Sequence, residues 1–291
     1  MLSSGDGAER AIFVRRGGLG DFILSLPVLR ALSTRHSWIC LVTRRRYLDL
    51  VPPSCRYDMF LDCDSVAATQ LYAPTQQDGA STPDMKALCS GASLYLFARH
   101  DPHWASGLDA FAFERVYWLD PRPSSPPHVV EQFFLQAGLQ PVDPARVASL
   151  WPERPSGEQL WVHPGSGSPL KNAPLDTFAT VAERWCAANG GGVIASFGEA
   201  DEALIGPFVA AMRERSLPYR CVQPGGLREL QEHLLREAKI YIGNDSGVSH
   251  LAAALGIPTV AIFQATDPAI WHPLGRRVTV ATAASVVDTP F

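Results

Sequence analysis

Three short polar turns in this sequence gather the residue types that hold an anion and move a proton. In GNDSGVSHLAAALG, residues 243–256, Asn244, Asp245, Ser246 and Gly247 stand directly before an alanine-rich run. A helix starting there presents unpaired N–H groups and the positive end of its macrodipole, a ready site for phosphate. Asp245 opposes phosphate unless its carboxylate caps the helix or binds sugar hydroxyls. His250 follows Ser246 by four residues and so shares its helix face. A lone helix histidine is ordinarily structural; a ligand role is the alternative. The order GNDSG is not the GxSxG elbow of a serine hydrolase.

The second turn, HPGSGSPLKNAP at 163–174, offers backbone N–H groups, Ser166, Gly167 and Lys171. Turn amides can form an anion nest beside a lysine point charge. The plainer reading is a flexible loop with a solvated lysine. Lysine is scarce in this chain: Lys86, Lys171 and Lys239 stand against 22 arginines. The third turn, RRGGLGDFILSLP at 15–27, lacks GxGxxG spacing, and no GK[ST] phosphate loop occurs anywhere in the chain. Its glycines allow close backbone approach. Asp21 at a helix start reads either as an N-cap contributing about 1 kcal/mol or as a general base facing a cleft.

These turns need strands before them and helices after them. AIFV, WICLVT, MFLDCD and SLYLFAR read as strands of a first half, with FILSLPVLRAL a helix and VVEQFFLQAGL another, closed by Gly138. Residues 65–90 read as a polar loop. Four prolines between 140 and 158 mark a linker. Strand and helix then alternate afresh, through QLWVHPG, LDTFATVAERWCAA, GGVIASFG, EALIGPFVAAMRER, YRCVQPG, LRELQEHLLREA and KIYIGND, to the alanine-rich helix and TVAIF. This pattern predicts two Rossmann-like α/β domains with parallel sheets, 1–145 and 159–291, joined by 146–158. Ligands in such folds bind outside the carboxyl ends of the strands, where these turns lie.

Composition narrows the class. The 291 residues are 46% hydrophobic and 19% charged, as in a globular protein, and the net charge of −4 argues against nucleic acid as the main partner. The charge is uneven: residues 1–56 hold nine arginines and four acids, whereas 57–145 hold four bases and eleven acids. Arg44, Arg45, Arg46 and Arg99 follow candidate strands and read as contacts for an acidic acceptor or as a solvated basic edge. The six cysteines form no CxxC pair, as expected of free thiols in a reducing cytoplasm. No signal peptide is read at the start, and no run of about 18 apolar residues suggests a membrane span.

Together the turns resemble the ADP-heptose–lipopolysaccharide heptosyltransferase family, glycosyltransferase family nine. Its GD-x5-P appears as Gly20, Asp21 and Pro27. Its lysine-bearing loop appears as HPGSGSPLKNAP, with Asn172, Ala173 and Pro174 where a Trp-Pro pair commonly follows the lysine. Its D-[ST]-G-x-x-H appears as Asp245, Ser246, Gly247 and His250, and its later TDP as Thr266, Asp267 and Pro268. The resemblance spans residues 11–275.

It implies a GT-B fold, two parallel sheets facing across a cleft, with the first domain taking the acceptor. It further implies an inverting, metal-independent transferase with no cofactor beyond its nucleotide-sugar donor, ADP-heptose by family default. Asp21 would be the catalytic base and Lys171 the contact to donor phosphate. Ser166, Gly167, Asp245, Ser246, Gly247 and His250 would surround the diphosphate and sugar. Glu202 would hold the ribose, and the adenine would lie near Gly226 and Leu227. The implied acceptor is a glycan or glycolipid such as the lipopolysaccharide inner core, met in the cytoplasm or at the inner membrane surface. Two rivals are a binding relative that has lost catalysis and a GT-B epimerase.

Overall fold

A computed structural model describes residues 9–72, 83–140, 150, 151 and 155–290. The chain divides into two compact units, Met1–Val142 and Asp143–Phe291. The expected linker, 146–158, falls largely on residues outside the described ones.

The first unit runs β1 (Arg10–Val14), α1 (Leu19–Arg35), β2 (Trp38–Thr43), β3 (Met59–Asp62), α2 (Val66–Thr69), α3 (Pro83–Cys89), β4 (Ser93–Leu96), α4 (Pro102–Leu108), β5 (Arg115–Trp118) and α5 (Val129–Gln136). Its sheet is parallel throughout, in the order β3-β2-β1-β4-β5. Ala11 to Val14 are buried on both faces, which is why the central strand reads as an unbroken apolar run. α1 packs on α5. The expected loop at 65–90 is corrected: α2 and α3 occupy its described ends, with Ser65 capping α2 through a bond from the Ala68 N–H, and 73–82 lie outside the described residues.

The second unit runs β6 (Gln159–His163), α6 (Leu175–Asn189), β7 (Val193–Ser196), α7 (Glu202–Glu214), β8 (Tyr219–Val222), α8 (Leu227–Glu237), β9 (Ala238–Asn244), α9 (Gly247–Ala254), β10 (Thr259–Ile262), α10 (Pro268–Trp271) and β11 (Val278–Ala281). Its six strands are again parallel, ordered β11-β10-β9-β6-β7-β8. Leu160, Val162, Phe178, Trp185, Phe208 and Ile242 fill the core. The four residues Leu251 to Ala254 are buried; three are alanines, small enough to seat α9 close to the sheet. Gly243 has a specific cause: a Cβ there would stand 2.3 Å from the Tyr241 hydroxyl, which reaches Ser249 Oγ at 3.1 Å.

In each sheet the chain winds outward in opposite directions from two neighbouring strands, β1 and β4 in the first, β6 and β9 in the second. At such a reversal the following turns splay apart and leave a crevice at the carboxyl ends. The turns after β6 and β9 are 164–174 and 245–246, and the turn after β1 carries Arg15 to Gly18.

Candidate functional site

In the second unit one buried side chain joins the two turns. Asn244, at the end of β9, accepts from the Ala173 N–H at 2.9 Å and donates to the Pro164 carbonyl at 2.7 Å. The 164–174 segment is therefore an ordered loop: Pro169–Lys171 form a 3-10 turn. Ser166 Oγ bonds within the loop, to the Ser168 carbonyl and to Asn172 Oδ1, each at 2.7 Å. Gly167 has open space on its side-chain face.

That ordering carries Lys171 to Asp245. The Nζ lies 2.6 Å from Asp245 Oδ2, which also accepts from the Thr266 hydroxyl at 2.6 Å. His250 Nε2 stands 3.8 Å from Oδ1, beyond hydrogen-bonding reach but near enough to act on its charge. Burial alone would push the Asp245 carboxyl up; His250, Lys171 and Thr266 outweigh it and hold the group well below the usual carboxylate range. Asp245 does not cap α9. Ser246 does, its Oγ accepting from the Ser249 N–H at 3.4 Å. The N–H groups of Gly247 and Val248, the first two of the helix, have no intrahelical acceptor. His250 is 4% exposed, and its Nδ1 has no hydrogen-bond partner among the described residues.

Below the 164–174 loop lies a second polar cluster that sequence reasoning missed. His163 ends β6 with Nδ1 2.9 Å from the Ser196 carbonyl and Nε2 3.7 Å from Asp201 Oδ2. Trp161 Nε1 donates to Ser196 Oγ at 2.9 Å. Burial lowers the His163 pKa, opposed by the Asp201 carboxylate and the Ser196 bond. Asp201 also accepts from the Gly198 N–H at 2.9 Å. A Cβ at Gly165 would lie 1.9 Å from Asp201 Oδ1, so only glycine fits above that carboxylate. Glu202, expected on the ribose, is exposed in the first turn of α7. Gly226 is the exposed N-cap of α8, with Leu227 its first residue.

In the first unit Asp21 sits one turn deeper than an N-cap. Gly18 occupies the cap position, and Asp21, third in α1, reaches back to the Gly18 N–H through Oδ2 at 2.9 Å. Glycine has no side chain to return the bond, so this is half of a capping box. Arg15, 1% exposed, donates from Nε to the Asp21 carbonyl at 3.0 Å and from Nη2 to Oδ1 at 3.1 Å. Burial lowers the Arg15 pKa to about 10, with Asp21 and Tyr47 opposing the shift. Gly17 takes φ +130°, and a Cβ on it would fall 2.7 Å from Asp21 Oδ2.

The four arginines expected at the first unit's edge have unequal surroundings. Arg45 lies 3.6 Å from Asp62 and over the Phe60 ring, and Arg46 lies over Tyr47. Arg99 is held by Asp120 at 3.2 Å and by the Arg122 carbonyl. Arg44 precedes a 3-10 turn, Arg45–Leu50, with its Nε buried and without a partner among the described residues. The second unit thus brings Ser166, Lys171, Asp245, Ser246 and His250 together at its strand reversal. Glu202, Gly226 and Leu227 lie at the helix starts that follow β7 and β8. Asp21 belongs to the first unit. A paired lysine and helix start beside a buried acid can hold a phosphate and a hydroxyl-bearing group at once; a carboxylate fixed by two donors can take a proton.

Comparison with known proteins bears on the family and the fold. Residues 136–287 match the sequence profile of glycosyltransferase family 9 (heptosyltransferase). A stretch of 114 residues is 30% identical to lipooligosaccharide heptosyltransferase 2 of Haemophilus influenzae, covering 38% of this chain and 32% of that protein; the match thus spans about a third of that relative's length. Among solved structures, the glycosyl transferase family 9 protein of Veillonella parvula superposes with a TM-score of 0.68 at 17% identity, over 96% of this chain and 88% of its own. ADP-heptose lps heptosyltransferase II of E. coli does so at 0.65 and 18%, over 96% of both chains. The two parallel α/β units are those of the GT-B class. This chain belongs to glycosyltransferase family 9, the heptosyltransferase family.

Proposed function

We propose that this protein transfers a heptose from ADP-heptose to a hydroxyl of a glycan or glycolipid acceptor, the lipopolysaccharide inner core, at the cytoplasmic face of the inner membrane. The observation that carries the reading is the Lys171–Asp245 pair at 2.6 Å, set at the strand reversal beside the start of α9. The donor diphosphate lies against the N–H groups of Gly247 and Val248, with the Lys171 ammonium beside it. Asp245, ionised and buried, accepts hydrogen bonds from hydroxyls of the sugar. Among the described residues no helix is long and apolar enough to cross a membrane.

The reaction is a single displacement. The acceptor oxygen forms a bond to the anomeric carbon on the face opposite ADP, and the bond from that carbon to the phosphate oxygen breaks. The electron pair departs with ADP, where Lys171 and the helix start stabilise the growing negative charge. The acceptor proton passes to the Asp21 carboxylate. Inversion at the anomeric carbon follows from attack opposite the leaving group.

Purified protein with ADP-heptose and a heptose-deficient lipopolysaccharide tests this by mass spectrometry. The expected product is an acceptor heavier by one heptose, with one ADP released per transfer. ADP bound without any turnover supports the binding relative instead, and donor isomerised without acceptor supports the epimerase. Either outcome ends the transferase reading.

A further inference from the structure

A buried arginine is a costly residue, because its guanidinium loses water and stays charged. Arg15 is 1% exposed and closes the central strand of the first unit. Its guanidinium carbon lies 4.6 Å from the centre of the Phe97 ring and 5.6 Å from that of Phe133, so two aromatic rings flank the cation. The fork thus held points both of its hydrogen bonds at one residue, the carbonyl and Oδ1 of Asp21.

Helix capping does not account for this. The bond from the Gly18 N–H to Oδ2 is the cap, and it is complete without Arg15. The surroundings of Arg15 instead lock the turn in place: Thr43 Oγ1 donates to the Arg15 carbonyl at 2.9 Å, and the Tyr47 hydroxyl donates to the Gly17 carbonyl at 3.0 Å. Gly17 leaves room for Oδ2 where any side chain would strike it. With one bond on each oxygen, the Asp21 carboxylate has one orientation, and its side chain is still 38% exposed. The lone pairs left on the open side are those that meet an incoming hydroxyl.

We propose that Arg15 is a positioning residue for the proton-accepting carboxylate of Asp21, an inference that rests on Asp21 having that role. A guanidinium bonded to main chain and side chain of the same residue fixes both the rotamer and the tilt of the carboxylate. A base displaced by about 1 Å loses on the order of 10²-fold in rate. Arg15 touches no substrate in this arrangement, so its loss falls on turnover and leaves donor binding alone.

The experiment compares wild type, Arg15→Met, Arg15→Lys, Asp21→Asn and Arg15→Met/Asp21→Asn. ADP release from ADP-heptose is followed with heptose-deficient lipopolysaccharide and, separately, with water as the sole acceptor. Arg15→Met is expected to lower kcat about 10²-fold, with the donor KM and the ADP Kd within about twofold of wild type, a split that general loosening of the fold does not produce. Arg15→Lys restores part of the rate, since one ammonium cannot make both bonds. The double variant is expected to be no slower than Asp21→Asn alone, because both changes act through one carboxylate.

If Arg15→Met does not fold, Arg15→Lys carries the test: kcat within twofold of wild type overturns the positioning role. So does full turnover of Arg15→Met beside an inactive Asp21→Asn, which leaves the assignment of Asp21 standing. An active Asp21→Asn removes the base itself, and a wild type that releases no ADP under either condition removes the transferase reading.

Discussion

Lys171 Nζ and Asp245 Oδ2 are 2.6 Å apart across 74 residues of chain, and the carboxylate of that pair is buried. The lysine proposed to face the donor diphosphate is thus already paired with an acid of the same unit. Removing it leaves Asp245 with Thr266 and His250 but without its full counter-charge. Lys171→Met is expected to lower unfolding stability by about 1–3 kcal/mol, below the range for a fully buried pair because the lysine is partly solvated. It should also weaken ADP binding at least tenfold. Chemical denaturation and calorimetry read the two effects.

The pH dependence of stability has a definite sign. The Asp245 carboxyl titrates below its usual range in the folded state, so the unfolded chain takes up the proton first as pH falls. Its contribution is fully present above the unfolded value, about 3.9, and is lost as pH drops from there toward the lower folded value. Denaturation midpoints from pH 7 to pH 2 should show wild type losing ground to Asp245→Asn over the acid end of the range. A gap between them that stays constant below pH 4 contradicts the assignment.

Asn244→Ala removes two hydrogen bonds and strands the Ala173 N–H and Pro164 carbonyl. The expected cost is about 2–4 kcal/mol, one desolvated backbone group for each lost bond. Asn244→Asp is informative beside it, because a carboxylate still accepts from Ala173 but cannot donate to Pro164. Urea midpoints should rank wild type above Asp, and Asp above Ala or level with it.

Gly17→Ala tests the turn of the first unit. The backbone angle there is one that side chains rarely adopt, and the methyl would stand 2.7 Å from Oδ2 of Asp21. A loss of about 1–3 kcal/mol is expected, together with a fall in kcat as the carboxylate is displaced. Reduced heptose transfer with an unchanged ADP Kd is the discriminating result, since the proposed ADP site lies in the second unit.

Much of the architecture was legible in the chain. Parallel strands buried on both faces appear as short unbroken apolar runs, so IFV, LWV and YIGN announced themselves, and glycine turns marked their ends. The half-exposed edge strands β5 and β11, RVYW and VTVA, lack that signature and went unread. Thr266 entered only through the resemblance, and the fold then brought it to Asp245. Arg15 and Arg16 are alike as letters, yet one is buried and the other exposed; an arginine directly after an apolar central strand was the available clue. His163 and Asp201 had no local mark, and Asn244, read as part of the polar turn, gave no sign of its tie to the 164–174 loop, because the partners of His163 and Asn244 lie 33 to 80 residues away. The reading of Asp21 as an N-cap erred by three positions because Gly18, which has no side chain, took the cap.

Asn244 has one more effect. By tying the loop after β6 to the end of β9, it makes two separate stretches of backbone settle together during folding. A nucleotide at the proposed site would meet walls already tied to one another, so little entropy would remain to be lost on association. Grip on the diphosphate should therefore be quick and nearly rigid, with any slower adaptation confined to parts of the molecule that carry no such tie.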